Sequence, residues 1–127
     1  MKTKLLLFTA ASSMVALMSF TQTDFQKTLI GKWELKTIES PGKPPVNSKP
    51  ILGVVFFEFK KDFTYIESGG NSDFKKGTWK ITEGMYLHLK RDTQTDYINK
   101  EKLREISSNK IEMTHPDKKK FVFTRVK

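Results

Sequence analysis

The sequence predicts an all-β domain, an eight-stranded antiparallel up-and-down barrel with a short helical turn at its N-terminal edge. Apolar and polar residues alternate with period two over most of the chain, short turn-forming sequences separate the alternating segments, and these segments number about eight. Strands joined by short turns pair with their neighbours in sequence, and a meander of this size closes most simply as a barrel. A two-sheet sandwich is the alternative that the pattern leaves open.

The first residues carry the pattern of an export signal. Lys2 and Lys4 precede a largely apolar stretch over residues 5–20, and polar residues follow it. This stretch of 16 residues is typical of a secretory signal and is shorter than the roughly 20 residues of a membrane span. We interpret residues 1–23 as a signal peptide and residues 24–127 as the domain, and we expect export to the periplasm or the extracellular space. An uncleaved anchor is the alternative, because the small residues of a cleavage site are not cleanly present.

Composition excludes several classes of function. The chain has no cysteine, which excludes disulfides, thiolate catalysis and thiolate metal sites. The net charge is +9 for the whole chain and +7 once Lys2 and Lys4 are removed. The positive residues are 20 lysines and 3 arginines, and they are dispersed along the chain except for the lysine run at 118–120. A dispersed excess of lysine favours a solvated surface over a nucleic-acid site.

The domain is expected to begin with a turn or two of helix over residues 24–29. Asp24 is a suitable N-cap, and Gly31 ends the helical segment. The first strand follows, with Trp33, Leu35 and Thr37 on the inward parity. Residues 40–50 hold four of the five prolines, which predicts a long loop without helix or sheet hydrogen bonds.

The later strands are predicted from the same alternation. Inward residues include Phe63 on strand three, and the double glycine at 69–70 marks the turn after it. Residues 91–102 do not alternate, which favours a bulged or interrupted strand. Predicted strands two to five cover residues 54–60, 63–67, 74–82 and 85–90. The sixth is clearest at 103–107, and the last two cover 111–115 and 120–126.

The inward positions collect large apolar side chains that either fill the barrel or line one small ligand site. The sequence leaves both alternatives open. The candidate ligand-binding residues are Phe57, Phe59, Tyr65, Trp79, Leu87, Leu89 and Met113.

No arrangement of residues indicates catalysis. His88 and His115 are the only histidines, no paired-histidine spacing or Ser/His/Asp arrangement is visible, and both are interpreted as surface residues. The 14 carboxylates lie mostly at outward or turn positions, so the interior is expected to hold almost no acid. We expect no catalytic residue, metal site or cofactor.

The start and the end of the domain resemble the lipocalin superfamily. Gly31 and Trp33 form a Gly-x-Trp motif on the first strand, and Arg125 lies on the last strand. The resemblance implies that Trp33 closes one end of the barrel beneath the side chain of Arg125, so that these three residues are structural. A second motif, formed by Gly77 and Trp79, is similar to small lipocalin-like domains of exported bacterial proteins. The chain is shorter than a typical lipocalin, which argues against a large cavity.

These observations favour a non-enzymatic binding protein for a small hydrophobic or amphipathic ligand that enters at the end away from Trp33. The alternative is an interaction module that docks a protein or an acidic polysaccharide through its basic outer surface, the exposed Phe56 and the proline loop. Nucleic acid is not expected as a partner, because the aromatic side chains mostly have inward parity.

Overall fold

The computed structural model describes residues 26–70, 74–97 and 99–127. The predicted signal peptide at 1–23 and the predicted cap Asp24 lie outside these residues. Residues 26–29 are helical, and nine strands follow. The strands are β1 (Gly31–Glu39), β2 (Val46–Asn47), β3 (Val55–Phe59), β4 (Thr64–Gly69), β5 (Lys75–Thr82), β6 (Tyr86–Arg91), β7 (Asn99–Ser107), β8 (Lys110–Thr114) and β9 (Lys120–Arg125).

Eight of the strands form one closed antiparallel barrel, which confirms the predicted fold class. The barrel strands pair in the order β1, β3, β4, β5, β6, β7, β8, β9, and β9 returns to pair with β1. The closure places Trp33 opposite Phe57 on one side and opposite Arg125 on the other. Because the sheet is continuous around the ring, the sandwich alternative is wrong.

The inward face of β1 changes at a bulge. The alternation predicted that Thr37 would follow Trp33 and Leu35 onto the inward face, but the pairing of β1 with β9 shifts register between Leu35 and Thr37. The extra residue of a bulge moves the following side chain to the other face. Ile38 therefore packs against the core, opposite Phe121.

The proline-rich segment is not a featureless loop, and the prediction that it lacks helix and sheet hydrogen bonds is wrong. Val46–Asn47 forms β2, which pairs with β1 outside the barrel. A short helix follows at Lys49–Leu52. Pro50 is compatible with it because a backbone N–H is not needed in the first helical turn. The buried Ser48 donates a hydrogen bond of 3.0 Å to the Leu35 carbonyl, which ties this segment to β1.

Phe63 does not have the inward strand position predicted for it. It lies in the turn before β4 with φ of 65°, and 46% of its surface is exposed. Its ring centroid is 5.0 Å from that of Trp79. Phe63 therefore packs on Trp79 from a turn, since the hairpin must reverse before Thr64 begins the strand.

Residues 91–102, which lack the alternating pattern, contain the end of β6, a turn and the start of β7. β6 ends at Arg91 and β7 begins at Asn99. The strand irregularity predicted here lies further along, between Glu105 and Ser107 in the pairing with β8. None of the helices in the described part of the chain combines the length and the apolar character that crossing a membrane requires.

One half of the barrel interior is filled by large side chains. The biggest fully buried residues are Trp33, Trp79, Tyr65, Phe59, Leu29 and Leu87. Phe59 meets Trp79 edge to face at 5.7 Å between ring centroids, a favoured aromatic geometry. These residues lie towards the barrel end that the helical turn at 26–29 covers, so the opposite end is where space remains.

Candidate functional site

The closed end of the barrel is built around Trp33. Its indole is fully buried, and Nε1 donates a hydrogen bond of 2.8 Å to the Leu29 carbonyl at the end of the helical turn. The guanidinium of Arg125 lies over the indole at 4.3 Å from the ring centroid. The same guanidinium donates to the carbonyls of Ile30 at 2.9 Å and Thr28 at 2.5 Å. Arg125 thus joins the last strand, the first strand and the helical turn.

Gly31 is required by the same arrangement. Its φ is +134°, a backbone conformation that residues with a Cβ rarely adopt. A Cβ added there would lie 2.6 Å from Nη1 of Arg125. The Gly-x-Trp motif therefore allows the guanidinium to approach the backbone closely while it covers the indole.

The seven candidate ligand-binding residues divide into two groups along the barrel axis. Three of them, Phe57, Leu89 and Met113, line a cavity that opens at the end away from Trp33. The other four belong to the filled half of the interior and are 1% exposed or less. These four are Phe59, Tyr65, Trp79 and Leu87.

The cavity has a volume of about 340 Å³ and an apolar floor. Ligand sites commonly measure about 300–1,000 Å³, so this cavity is at the small end of the range. Its mouth includes Leu52 of the short helix together with Gly69, the last residue of β4, and Gly70 after it. The apolar lining is completed by Leu35, Val55, Phe57, Leu89, Met113, Phe121 and Phe123.

Four ionisable side chains contribute to the cavity lining: Glu67, Arg91, Glu101 and His115. The expectation that the interior holds almost no acid is therefore wrong for this end of the barrel. His115 was expected at the surface, and instead its Nδ1 donates to Oε1 of Glu101 at 2.6 Å. Burial raises the pKa of the neighbouring Tyr65 hydroxyl, and the positive charge of Arg91 opposes this increase in pKa.

The period-two pattern did contain a signal for these residues. Glu67 lies two positions after the buried Tyr65, Glu101 two positions before the buried Leu103, and His115 two positions after Met113. Residues two apart on a strand share a face. The polar type of these side chains led to an outward interpretation, whereas their parity indicated the interior.

The comparison with known families agrees with this architecture. The model of the lipocalin-like domain family matches residues 29–120, which include Gly31 and Trp33 of the closed end and most of the cavity lining, whereas Arg125 follows the matched segment. The chain belongs to this family. A search of curated proteins finds no match to this lipocalin-like domain.

Two solved structures are similar to the lipocalin-like domain. An uncharacterized protein from Bacteroides eggerthii has a TM-score of 0.59 and 15% identity, with coverage of 77% of this chain and 99% of that chain. A DUF4847 family protein from Bacteroides vulgatus has a TM-score of 0.57 and 12% identity, with coverage of 79% of this chain and 95% of that chain. At these identities the likeness shows the shared fold.

His88 lies on the outer face of the lipocalin-like domain. Its Nε2 shares a hydrogen bond of 2.7 Å with Oγ1 of Thr82, and its ring meets that of Tyr97 edge to face. Burial lowers the pKa of His88 below the usual value of 6.5, and the positive charges of Lys80 and Lys100 lower it further. Among the residues that the structure describes, no group of three histidine or acidic side chains is placed to hold a metal ion.

Phe56, the aromatic residue of the alternative docking face, also lies on the outside of the lipocalin-like domain. Its side chain is half-buried, and the ammonium of Lys32 lies over the ring at 4.5 Å from the centroid. This cation–π contact covers part of the ring that was expected to be free.

Proposed function

We propose that this lipocalin-like domain is a non-enzymatic binding protein that holds a small hydrophobic or amphipathic molecule in the cavity at its open end. The observation that carries the proposal is the cavity of about 340 Å³, whose lining is mostly apolar and includes four ionisable side chains. A fold of the lipocalin type is typically a binding fold. An apolar tail would pack on Phe57, Leu89 and Met113, and a polar end would meet the ionisable side chains of the lining.

The lining residues favour binding over catalysis. Within the described chain, the residues that line the cavity include no serine, threonine, cysteine or lysine that could act as a nucleophile. Glu101 and His115 are hydrogen-bonded to each other, and both lie in the lining, where a bound molecule would meet them. We therefore propose that these polar groups orient a ligand.

A fluorescent apolar probe tests the proposal. N-phenylnaphthylamine should bind the wild-type protein with enhanced fluorescence. Val55 lies at the mouth and faces Gly69 across the β3–β4 pair, so Val55→Trp should place an indole in the cavity and reduce probe binding by about ten-fold or more. Val122→Trp is the matched control, because Val122 lies on the outer face of β9 between two inward phenylalanines.

If Val55→Trp and Val122→Trp both fold and Val55→Trp binds the probe as tightly as the wild type, the cavity is not the binding site. Salt dependence separates the alternative function. Binding in the cavity should change little with ionic strength, whereas docking of an acidic partner on dispersed lysines should weaken steeply as salt screens the charges.

We also propose that the protein is exported, on the basis of the signal pattern at 1–23. N-terminal sequencing of protein recovered from outside the cytoplasm tests this proposal. A mature chain that begins near residue 24 is the expected result, and a chain that still begins at Met1 would contradict cleavage.

A further inference from the structure

One buried carboxylate oxygen of a residue in the cavity lining has no hydrogen-bond partner within the described part of the chain. Glu101 belongs to β7 and lines the cavity, and its side chain is 13% exposed. Oε1 accepts the hydrogen bond from Nδ1 of His115, but the buried Oε2 has no partner among the described residues. Half of this carboxylate is therefore satisfied by the protein.

An unpartnered buried carboxylate oxygen is costly, because burial removes the water that would otherwise donate to it. Oε2 itself is closed to solvent, but the Glu101 side chain lines the cavity, so a ligand donor that binds the carboxylate from the cavity would offset the shortage of donors around this charge. The acceptor then contributes to ligand affinity, and in the free protein the carboxylate is already oriented by His115.

We infer that the polar end of the bound molecule carries a hydrogen-bond donor, a hydroxyl or an ammonium group, that binds the carboxylate of Glu101. This inference rests on the proposed function, and it names the chemical class of the ligand: an amphiphile with a donor head group. A fatty carboxylate is disfavoured, since it has no proton to donate at neutral pH and would add a negative charge beside Glu101.

The other charged groups of the cavity lining agree with this class of ligand. Glu67 adds a second carboxylate, whose nearest cation is Lys75 at 4.0 Å. Arg91 is exposed at the end of β6 and interacts with the Tyr65 hydroxyl, and solvent screens its charge. The Nδ1 proton of His115 is already donated to Glu101. The most deeply buried ionic group of the lining is thus an acceptor.

Competition against N-phenylnaphthylamine tests the inference with three molecules that share one tail. Octylamine and octanol should displace the probe at concentrations about ten-fold lower than octanoate, because a hydrogen bond to a charged acceptor is worth at least that factor. Glu101→Gln should weaken octylamine by about ten-fold or more and leave octanoate unchanged or tighter.

Glu112→Gln is the matched control. Glu112 has a similarly buried side chain, 12% exposed, and is also hydrogen-bonded, to Arg104, but it lies on the outer face of β8. The Glu112→Gln variant should retain the wild-type preference for octylamine over octanoate. If Glu101→Gln does not fold, the order in which the wild-type protein prefers octylamine, octanol and octanoate still tests the inference.

The outcomes separate this inference from the proposed function. Binding of octanoate as tightly as octylamine by the wild type, or an unchanged preference in folded Glu101→Gln, would overturn the inference while the cavity remains a binding site. Failure of the probe and all three molecules to bind the wild type would overturn both.

Discussion

Truncation of the indole at the closed end, Trp33→Ala, is expected to weaken the fold and to leave the cavity chemistry intact. Trp33 is 0% exposed, and its removal deletes the hydrogen bond to Leu29 and the surface on which Arg125 lies. Truncation of a buried tryptophan destabilises proteins by about 3–5 kcal/mol. The free energy of unfolding of a domain is about 5–15 kcal/mol, so this variant should retain only part of its stability.

Urea unfolding followed by circular dichroism measures the effect. With a denaturant dependence of about 1–3 kcal/mol per molar urea, the midpoint should fall by about 1–5 M. Trp33→Phe keeps a ring but loses the N–H donor, so it should lose about 1–2 kcal/mol and remain folded. An unchanged midpoint in Trp33→Ala together with lost probe binding would refute the reasoning, because Trp33 would then be a ligand-binding residue.

Two further predictions concern the backbone at Gly31 and the titration of His88. Gly31→Ala should lower the free energy of unfolding by about 1–3 kcal/mol, because its Cβ meets the Arg125 guanidinium at a φ of +134°; a urea midpoint equal to that of wild type would contradict this. The pKa of His88 is lower in the folded than in the unfolded state, so the unfolded chain binds more protons, and stability should decrease as the pH falls through 6.5 and below. His88→Gln should remove that part of the pH dependence in urea midpoints measured between about pH 5 and pH 8, and an identical slope in the variant would show that another group is responsible.

Much of the fold could be predicted because strand alternation is a local property of the chain. The positions of β3, β5, β8 and β9 agree with the predicted strands to within a residue or so at most ends. The exceptions have local physical causes that the alternation does not report. A bulge after Leu35 moves Ile38 to the core, a turn takes Phe63 out of β4, and Pro50 lies in the first turn of a short helix.

The candidate site was less predictable, because parity gives the face of a residue and not its depth along the barrel axis. Phe57 and Phe59 share a face of β3, yet Phe57 lines the cavity and Phe59 is part of the filled half. Which of them meets open space depends on the volumes of side chains from all eight strands at the same level of the barrel.

The sequence by itself determined the class of fold and the chemistry of the closed end. Gly31, Trp33 and Arg125 are recognisable in the sequence, because the closed end needs only three features. These are a backbone position without a Cβ, a large indole and a planar cation that covers it. Only the tertiary structure decided that the other end is open and that Glu101 and His115 meet in the cavity lining. Glu101 lies on β7 and His115 directly follows β8, so their pairing depends on the register of these two strands, which is set by the packing of the whole barrel.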